Sequence, residues 1–205
     1  SPRMPDLEGI DHPKVVSYVD VIRGNVEVGK TVAVMGAGGI GFDVSELITH
    51  SGISAAMHKD VFAREWGVDF TNHPRGGVTG VVPQVEAADR QVFLLQRKST
   101  RVGRGLGKTT GWTHRMSLAK RGVQMMNGLE YHRIDDQGLH VSVEGVPQVL
   151  EVDTVIICAG QLPKRSLYDD LAGANIAISL IGGAFEAAEL DAKAAIKQAS
   201  ELAAA

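Results

Sequence analysis

The stretch Thr31-Val-Ala-Val-Met-Gly-Ala-Gly-Gly-Ile-Gly41 decides how this chain is read. A short apolar run, Thr31 to Met35, turns through glycines into a segment of helical periodicity. Ile40, Val44, Leu47 and Ile48 fall at i, i+4, i+7 and i+8 and define one helix face. Gly36, Gly38 and Gly41 have the G-x-G-x-x-G spacing. Gly36 permits the tight strand-to-helix turn, Gly38 lets the backbone approach a pyrophosphate, and Gly41 allows close helix–strand packing. Gly39 and Ile40 then lie at the helix N-terminus, where free N–H groups and the positive dipole end face phosphates. The spacing alone is a weak signal. The strand before it and the helix after it favour nucleotide binding over a purely structural glycine turn.

Outward from this unit, strands and helices alternate. The helix runs to about His50, and an irregular stretch follows from Ser54 to Arg90, with a short helix carrying Val61, Phe62 and Trp66 in its first half. The Gly- and Pro-rich segment 72–83 reads as a long loop, a lid or a docking surface. Gln91–Leu95 reads as the second sheet strand. Thr109 or Thr110 N-caps a further helix, with Trp112, Met116 and Ala119 on its inner side and Gly122 as its stop. Val123–Met126 is a third parallel strand. Tyr131–Ile134 and Leu139–Val143 flank the turn Asp135-Asp-Gln-Gly138, a hairpin signature, and a buried strand follows at Thr154–Cys158. The fold class is therefore α/β, a Rossmann-type nucleotide-binding domain with a parallel sheet and a small antiparallel meander. A second strand–glycine–helix piece closes the chain: an apolar strand Ile176–Ile181, a turn at Gly182-Gly183, and an alanine-rich helix from about Phe185.

Composition excludes several classes. The single cysteine, Cys158, rules out a disulfide framework and a cysteine-held zinc or iron–sulfur site within one chain. It lies in an apolar strand and reads as inert. No apolar run is long enough to span a bilayer, and the first residues lack the apolar core of a signal peptide, so a cytoplasmic protein is expected. A net charge of −3 gives no global nucleic-acid signal. Positive charge is nevertheless concentrated: eight Lys or Arg residues lie between Arg97 and Arg121 with no Asp or Glu among them. This stretch is either a solvated surface loop or a site for a polyanionic ligand.

In a dinucleotide-binding fold the residue ending the second strand faces the adenosine ribose. A carboxylate there suits NAD, and a basic residue suits the 2′-phosphate of NADP. Here the strand ends Gln96-Arg97-Lys98, with Arg101 close behind, which favours NADPH. Trp112 is a candidate to stack on the adenine, although a tryptophan on a helix is more often a core residue. The Gly103–Thr109 stretch has three residues between its first glycine and the Gly-Lys pair where a P-loop needs four, so ATP hydrolysis is not expected. No catalytic constellation and no metal-ligand spacing stand out, and His114 reads as helical surface. That absence fits hydride transfer between cofactors, where the protein supplies position.

Several motifs together resemble one family. Asp6-x-x-Gly-Ile-Asp-His-Pro13, Gly36-Ala-Gly-Gly-Ile-Gly-Phe-Asp43, the run from Leu95 to Arg115, Val155-Ile-Ile-Cys-Ala-Gly-Gln161 and Leu180-Ile-Gly-Gly183 with Glu189-Leu-Asp-Ala192 are similar to stretches of the bacterial NADPH-dependent 2,4-dienoyl-CoA reductases. The resemblance runs from Arg3 nearly to the C-terminus. It implies a much longer flavoprotein, with an N-terminal barrel carrying FMN, a 4Fe-4S cluster and the substrate site, then an FAD domain interrupted by an NADPH domain. On that reading the chain is a C-terminal fragment. Residues 1–19 cross over from the FAD domain, 20–160 form the NADPH-binding domain, and 161–205 complete the FAD-binding domain. Ala159 and Gly160 lie on the return crossover, and Gly183, Leu190, Asp191 and Ala192 are placed against the flavin. Gly182-Gly183 replaces the Gly-Asp common in related flavin oxidoreductases, so a ribityl-binding carboxylate is not expected. The implied partners are NADPH, FAD and the barrel of the same protein, with no nucleic acid and no membrane. The resemblance further implies that the chain alone holds no stable flavin and does not turn over. The alternatives are a stand-alone NADP(H)-binding module or a piece of another NADH/NADPH:flavin oxidoreductase, and, as a third reading, a nucleic-acid surface at Arg97–Arg121.

Overall fold

The computed structural model describes residues 1–72, 75, 77–187 and 192–204. The chain divides into two compact units, Asp6–Cys158 and a smaller one formed by Ser1–Pro5 with Ala159–Ala205.

The larger unit contains β1 (Val15–Ser17), α1 (Tyr18–Arg23), β2 (Thr31–Met35), α2 (Gly39–Thr49), α3 (Lys59–Trp66), β3 (Gln91–Gln96), α4 (Gly111–Lys120), β4 (Gln124–Asn127), β5 (Leu129–Asp135), β6 (Gly138–Val143), β7 (Val146–Leu150) and β8 (Thr154–Ile157). Five strands form one sheet in the order β1-β8-β2-β3-β4, and every neighbouring pair is parallel. β5, β6 and β7 form a separate antiparallel meander. The expected parallel sheet, meander and returning strand are thus present.

The centre of the parallel sheet is covered on both faces, which explains the unbroken apolar runs of its strands. Val32, Ala33, Val34, Leu94, Leu95, Val155 and Ile156 are fully buried. Each large aliphatic side chain among them contributes about 1.5–3 kcal/mol when removed from water. α2 covers one face through Phe42, Val44 and Ile48, all in the same apolar cluster as Val34 and Leu94. Its buried stripe also takes in Ser45 and Thr49, whose hydroxyls donate to the carbonyls of Gly41 at 2.7 Å and Ser45 at 2.6 Å. Those two polar side chains are therefore satisfied inside the core. Leu47, assigned to the inner face from its spacing, is exposed, because the stripe runs through 41, 44, 45 and 48 with Phe42 beside it.

The inner face of α4 also differs from expectation. Trp112, Met116 and Ala119 are exposed, and Gly111 and Leu118 are the buried residues. Thr110 stands at the N-cap position but its side chain makes no capping bond. Trp112 instead donates its indole N–H to the Thr109 carbonyl at 3.0 Å. Leu118 alone supplies the large apolar anchor, so a helix of low overall hydrophobicity turns its tryptophan outward.

In the smaller unit, the first and last crossover segments run side by side. Pro2 and Gln161 form an antiparallel bridge, and the Arg3 N–H donates to Gly160 O at 3.0 Å. The Arg3 guanidinium donates twice to Ala159 O, at 2.8 and 2.6 Å. α5 (Ser166–Leu171), α6 (Gly182–Phe185) and α7 (Ala192–Ala204) follow. Residues 176–181 are not a strand. A strand needs a neighbour for its backbone groups, and this unit holds no sheet among its described residues. The long helix expected from about Phe185 is α7, which runs from Ala192, after the short α6.

Candidate nucleotide-binding site

The parallel register aligns the carboxyl ends of the central strands. Met35 of β2 stands opposite Leu95 of β3 and Ile157 of β8, and Gln96 of β3 stands opposite Asn127 of β4. At this edge β2 feeds α2 while β8 returns on its other side, the place where open α/β sheets bind ligands.

Gly36 follows β2 at φ 117°, a conformation that favours glycine, and its N–H is tied to Leu95 O at 3.0 Å. A Cβ on Gly41 would lie 1.8 Å from the Gly36 carbonyl oxygen, so helix and turn are in direct backbone contact. Gly38 is the N-cap of α2 and has no capping side chain, and Phe42 N–H makes the bond to Gly38 O at 3.1 Å. The N–H groups of Gly39, Ile40 and Gly41 therefore precede the first intrahelical bond. A Cβ on Gly38 or Gly39 would meet nothing within 4 Å. The turn is thus closed at its back and open at its front, a cradle that fits a pyrophosphate.

The basic stretch separates into two groups, with Arg115 between them and in neither. Lys120 Nζ sits 4.1 Å from the Trp66 ring centroid, and Arg121 pairs with Glu65 at 3.8 Å, so the last two cations hold α4 against α3. Arg97, Lys98, Arg101, Arg104 and Lys108 are exposed and make no side-chain hydrogen bond or ion pair among the described residues. Arg97 and Lys98 leave the end of β3, beside the glycine turn that leaves β2. The Arg115 stem packs where a Cβ on Gly103 would clash, next to Phe42, and its buried Nε has no partner among the described residues. Burial, with the Arg101 charge, lowers the Arg115 guanidinium from its ordinary range. The Tyr131 hydroxyl is likewise buried without a partner among the described residues. Burial pushes its phenol up, and the Arg97 charge opposes that shift.

His114 Nδ1 lies 3.0 Å from Glu46 Oε1 and ties α4 to α2. Cys158 is buried and its thiol is pushed up to about 12 by burial, so it is protonated and closed to reagents at neutral pH. Among the described residues no group of His, Cys, Asp and Glu is placed to hold a metal.

The residues expected at the flavin are placed less fully. Gly183 faces open space, and Ala192 is the exposed first residue of α7. Leu190 and Asp191 lie outside the described residues, as do His73, Pro74 and Gly76 of the expected lid or docking loop. Ala159 and Gly160 are held by Arg3 within the smaller unit. Trp112, exposed on α4, belongs to the larger unit with the glycine turn and the basic loop.

An α/β domain with this glycine turn at this sheet edge is a dinucleotide-binding fold. The chain belongs to the pyridine nucleotide-disulphide oxidoreductase family, whose profile matches residues 1–182. That family binds FAD and NAD(P)H. A metal reductase of Desulforamulus reducens is 23% identical over 196 residues, covering 91% of this chain and 26% of that protein. A 2-naphthoyl-CoA reductase structure superposes with a TM-score of 0.64 at 21% identity, over 91% of this chain and 23% of its own. A 6-hydroxypseudooxynicotine amine oxidase from Pseudomonas geniculata gives a TM-score of 0.64 at 17% identity, over 92% and 24%. The chain spans about a quarter of the length of these relatives. No helix among the described residues is long and apolar enough to cross a membrane.

Proposed function

We propose that this chain is the NADPH-binding portion, with part of the FAD-binding domain, of a multi-cofactor flavoprotein that reduces 2,4-dienoyl-CoA. The observation that carries the reading is the cluster of unpaired cations at the end of β3, beside a glycine turn whose front is open. The glycine turn and the α2 N-terminus hold the pyrophosphate. Arg97 and Lys98, with Arg101, hold the 2′-phosphate, and Trp112 offers a face to the adenine. NADPH supplies a hydride, and the chain's part is to fix the nucleotide so that its nicotinamide meets a flavin. The smaller unit supports the FAD assignment. It leaves Leu167, Ile176, Phe185 and Ile196 exposed, apolar area suited to the remainder of a flavin domain. The substrate assignment rests on the motifs from Leu95 to Arg115 and from Val155 to Gln161. The FMN, the 4Fe-4S cluster and the barrel belong to the longer protein, a cytoplasmic enzyme on this reading.

Hydride transfer needs donor and acceptor atoms held about 3–3.5 Å apart, and on this reading the chain alone provides no second wall for a flavin. The chain alone is therefore expected to show no NADPH oxidation on addition of a 2,4-dienoyl-CoA, and the longer protein to show it. Dienoyl-dependent oxidation by the chain alone overturns this division of labour. A longer protein that oxidises NADPH without responding to dienoyl-CoA overturns the substrate assignment.

A further inference from the structure

The turn that carries Arg97 and Lys98 is fastened by amide side chains from two neighbouring strands. Gln96, the last residue of β3, points its side-chain amide forward along its own chain. Its Nε2 donates to Lys98 O at 2.9 Å and to Thr100 O at 2.6 Å, with Thr100 Oγ1 at 3.3 Å. Asn127, the last residue of β4 and the register partner of Gln96, donates its Nδ2 to Ser99 O at 2.8 Å. The Gly128 N–H adds a second bond to Lys98 O at 3.1 Å. Three successive carbonyls are thus each bound by an amide N–H. Both N–H groups of the Gln96 amide are used, and one glutamine spans the turn.

The electrostatic consequence follows from which groups are occupied. A carbonyl oxygen turned toward a phosphate repels it, and here the three carbonyls are held against amides. The backbone N–H groups of Lys98 and Ser99 donate to no backbone carbonyl among the described residues. The Arg97, Lys98 and Ser99 side chains are exposed. The turn therefore presents donors and cations together, with the carbonyls of Lys98, Ser99 and Thr100 tied back. Backbone N–H groups arranged this way favour an anion.

We infer that Gln96 and Asn127 are positioning residues that hold the Arg97–Thr100 turn in the conformation that receives a ribose phosphate monoester. The inference rests on the NADPH reading and adds to it the residues that set nucleotide selectivity without touching the nucleotide. Fixing the turn before the ligand arrives removes an ordering cost that otherwise weakens binding. The carboxylates of the same shape, Glu and Asp, cannot do this at either position, since they have no N–H to donate.

The test is Gln96→Met and Asn127→Leu, each of which keeps bulk and removes the donors. Kd is measured for NADPH and NADH on each variant and on the wild-type chain, with thermal melts as the folding check. NADPH affinity is expected to fall about tenfold while NADH affinity changes less than about twofold, the signature of lost preorganisation at the phosphate alone. Trypsin is expected to cut after Arg97, Lys98 or Arg101 faster in both variants, because an unfastened turn opens more often. A merely structural role moves both nucleotides together. An unchanged NADPH-to-NADH ratio in a folded variant, or an equal loss for both nucleotides, overturns the inference. Equal affinities in the wild-type chain overturn the NADPH reading itself. If one variant does not fold, the other decides.

Discussion

Replacing Arg97 with glutamate and Lys98 with serine is expected to remove most of the chain's preference for NADPH over NADH while leaving NADH binding largely intact. Both side chains are exposed, so each contact to the 2′-phosphate is worth less than the ~1.5–3 kcal/mol of a buried charge-assisted hydrogen bond. Two discounted contacts amount to about 100-fold, or ~2.8 kcal/mol. The Arg97→Glu change also sets a carboxylate where a ribose 2′-hydroxyl has a hydrogen bond to give, and where a phosphate is repelled. The pyrophosphate site at Gly36–Gly41 is a separate piece of backbone, and the double variant leaves it untouched. Paired calorimetry on wild type and variant checks this. The same affinity ratio in both proteins means that these residues are not the phosphate site.

Two glycines of the fingerprint are expected to fail in different ways. Gly41→Ala sets a methyl 1.8 Å from the Gly36 carbonyl oxygen, a backbone atom that cannot step aside without opening the turn. Overpacking of this kind costs about 1–3 kcal/mol, which lowers Tm by roughly 2–12 °C in a chain of this size. Nucleotide binding falls with it, because the turn itself is displaced. Gly38→Ala places its methyl in open space, at φ −82°, which any residue adopts. Its Tm is expected to stay within about 2 °C of wild type, and its NADPH binding to weaken sharply, because the methyl occupies the approach to the pyrophosphate. Melting curves and titrations on the two variants separate these outcomes. A Gly38→Ala chain that binds NADPH as wild type does removes the pyrophosphate from this turn.

Much of the α/β domain was legible because its signals are local. The glycine spacing, the apolar run before it and the hairpin turn at Asp135–Gly138 are each set by backbone conformation within a few residues. The glycine cradle was legible for the same reason. What escaped depends on neighbours distant in sequence. β1 is three residues long and exists as a strand through pairing with β8. The apolar run 176–181 has strand composition but no partner strand among the described residues, and it is irregular. The inner face of α4 is chosen by the packing of Gly111 and Leu118, which helical spacing alone does not rank above Trp112 and Met116. The basic stretch shows both sides of this. Its charge was visible, whereas the pairing of Lys120 with Trp66 and of Arg121 with Glu65 required knowing where α3 lies. Gln96 and Asn127 carried no signal, since a glutamine and an asparagine at strand ends become a clamp only when the two strands are adjacent and in register.

Binding of NADPH at the edge formed by the β2 turn and the β3 exit is tested most directly by titrating the chain with NADPH and NADH at two salt concentrations. Saturable NADPH binding is expected, with NADH weaker by about 100-fold and a steeper loss of affinity with salt for NADPH, because exposed cations facing an extra phosphate are screened. Equal affinity for the two nucleotides with equal salt dependence, or no saturable binding of either, contradicts it.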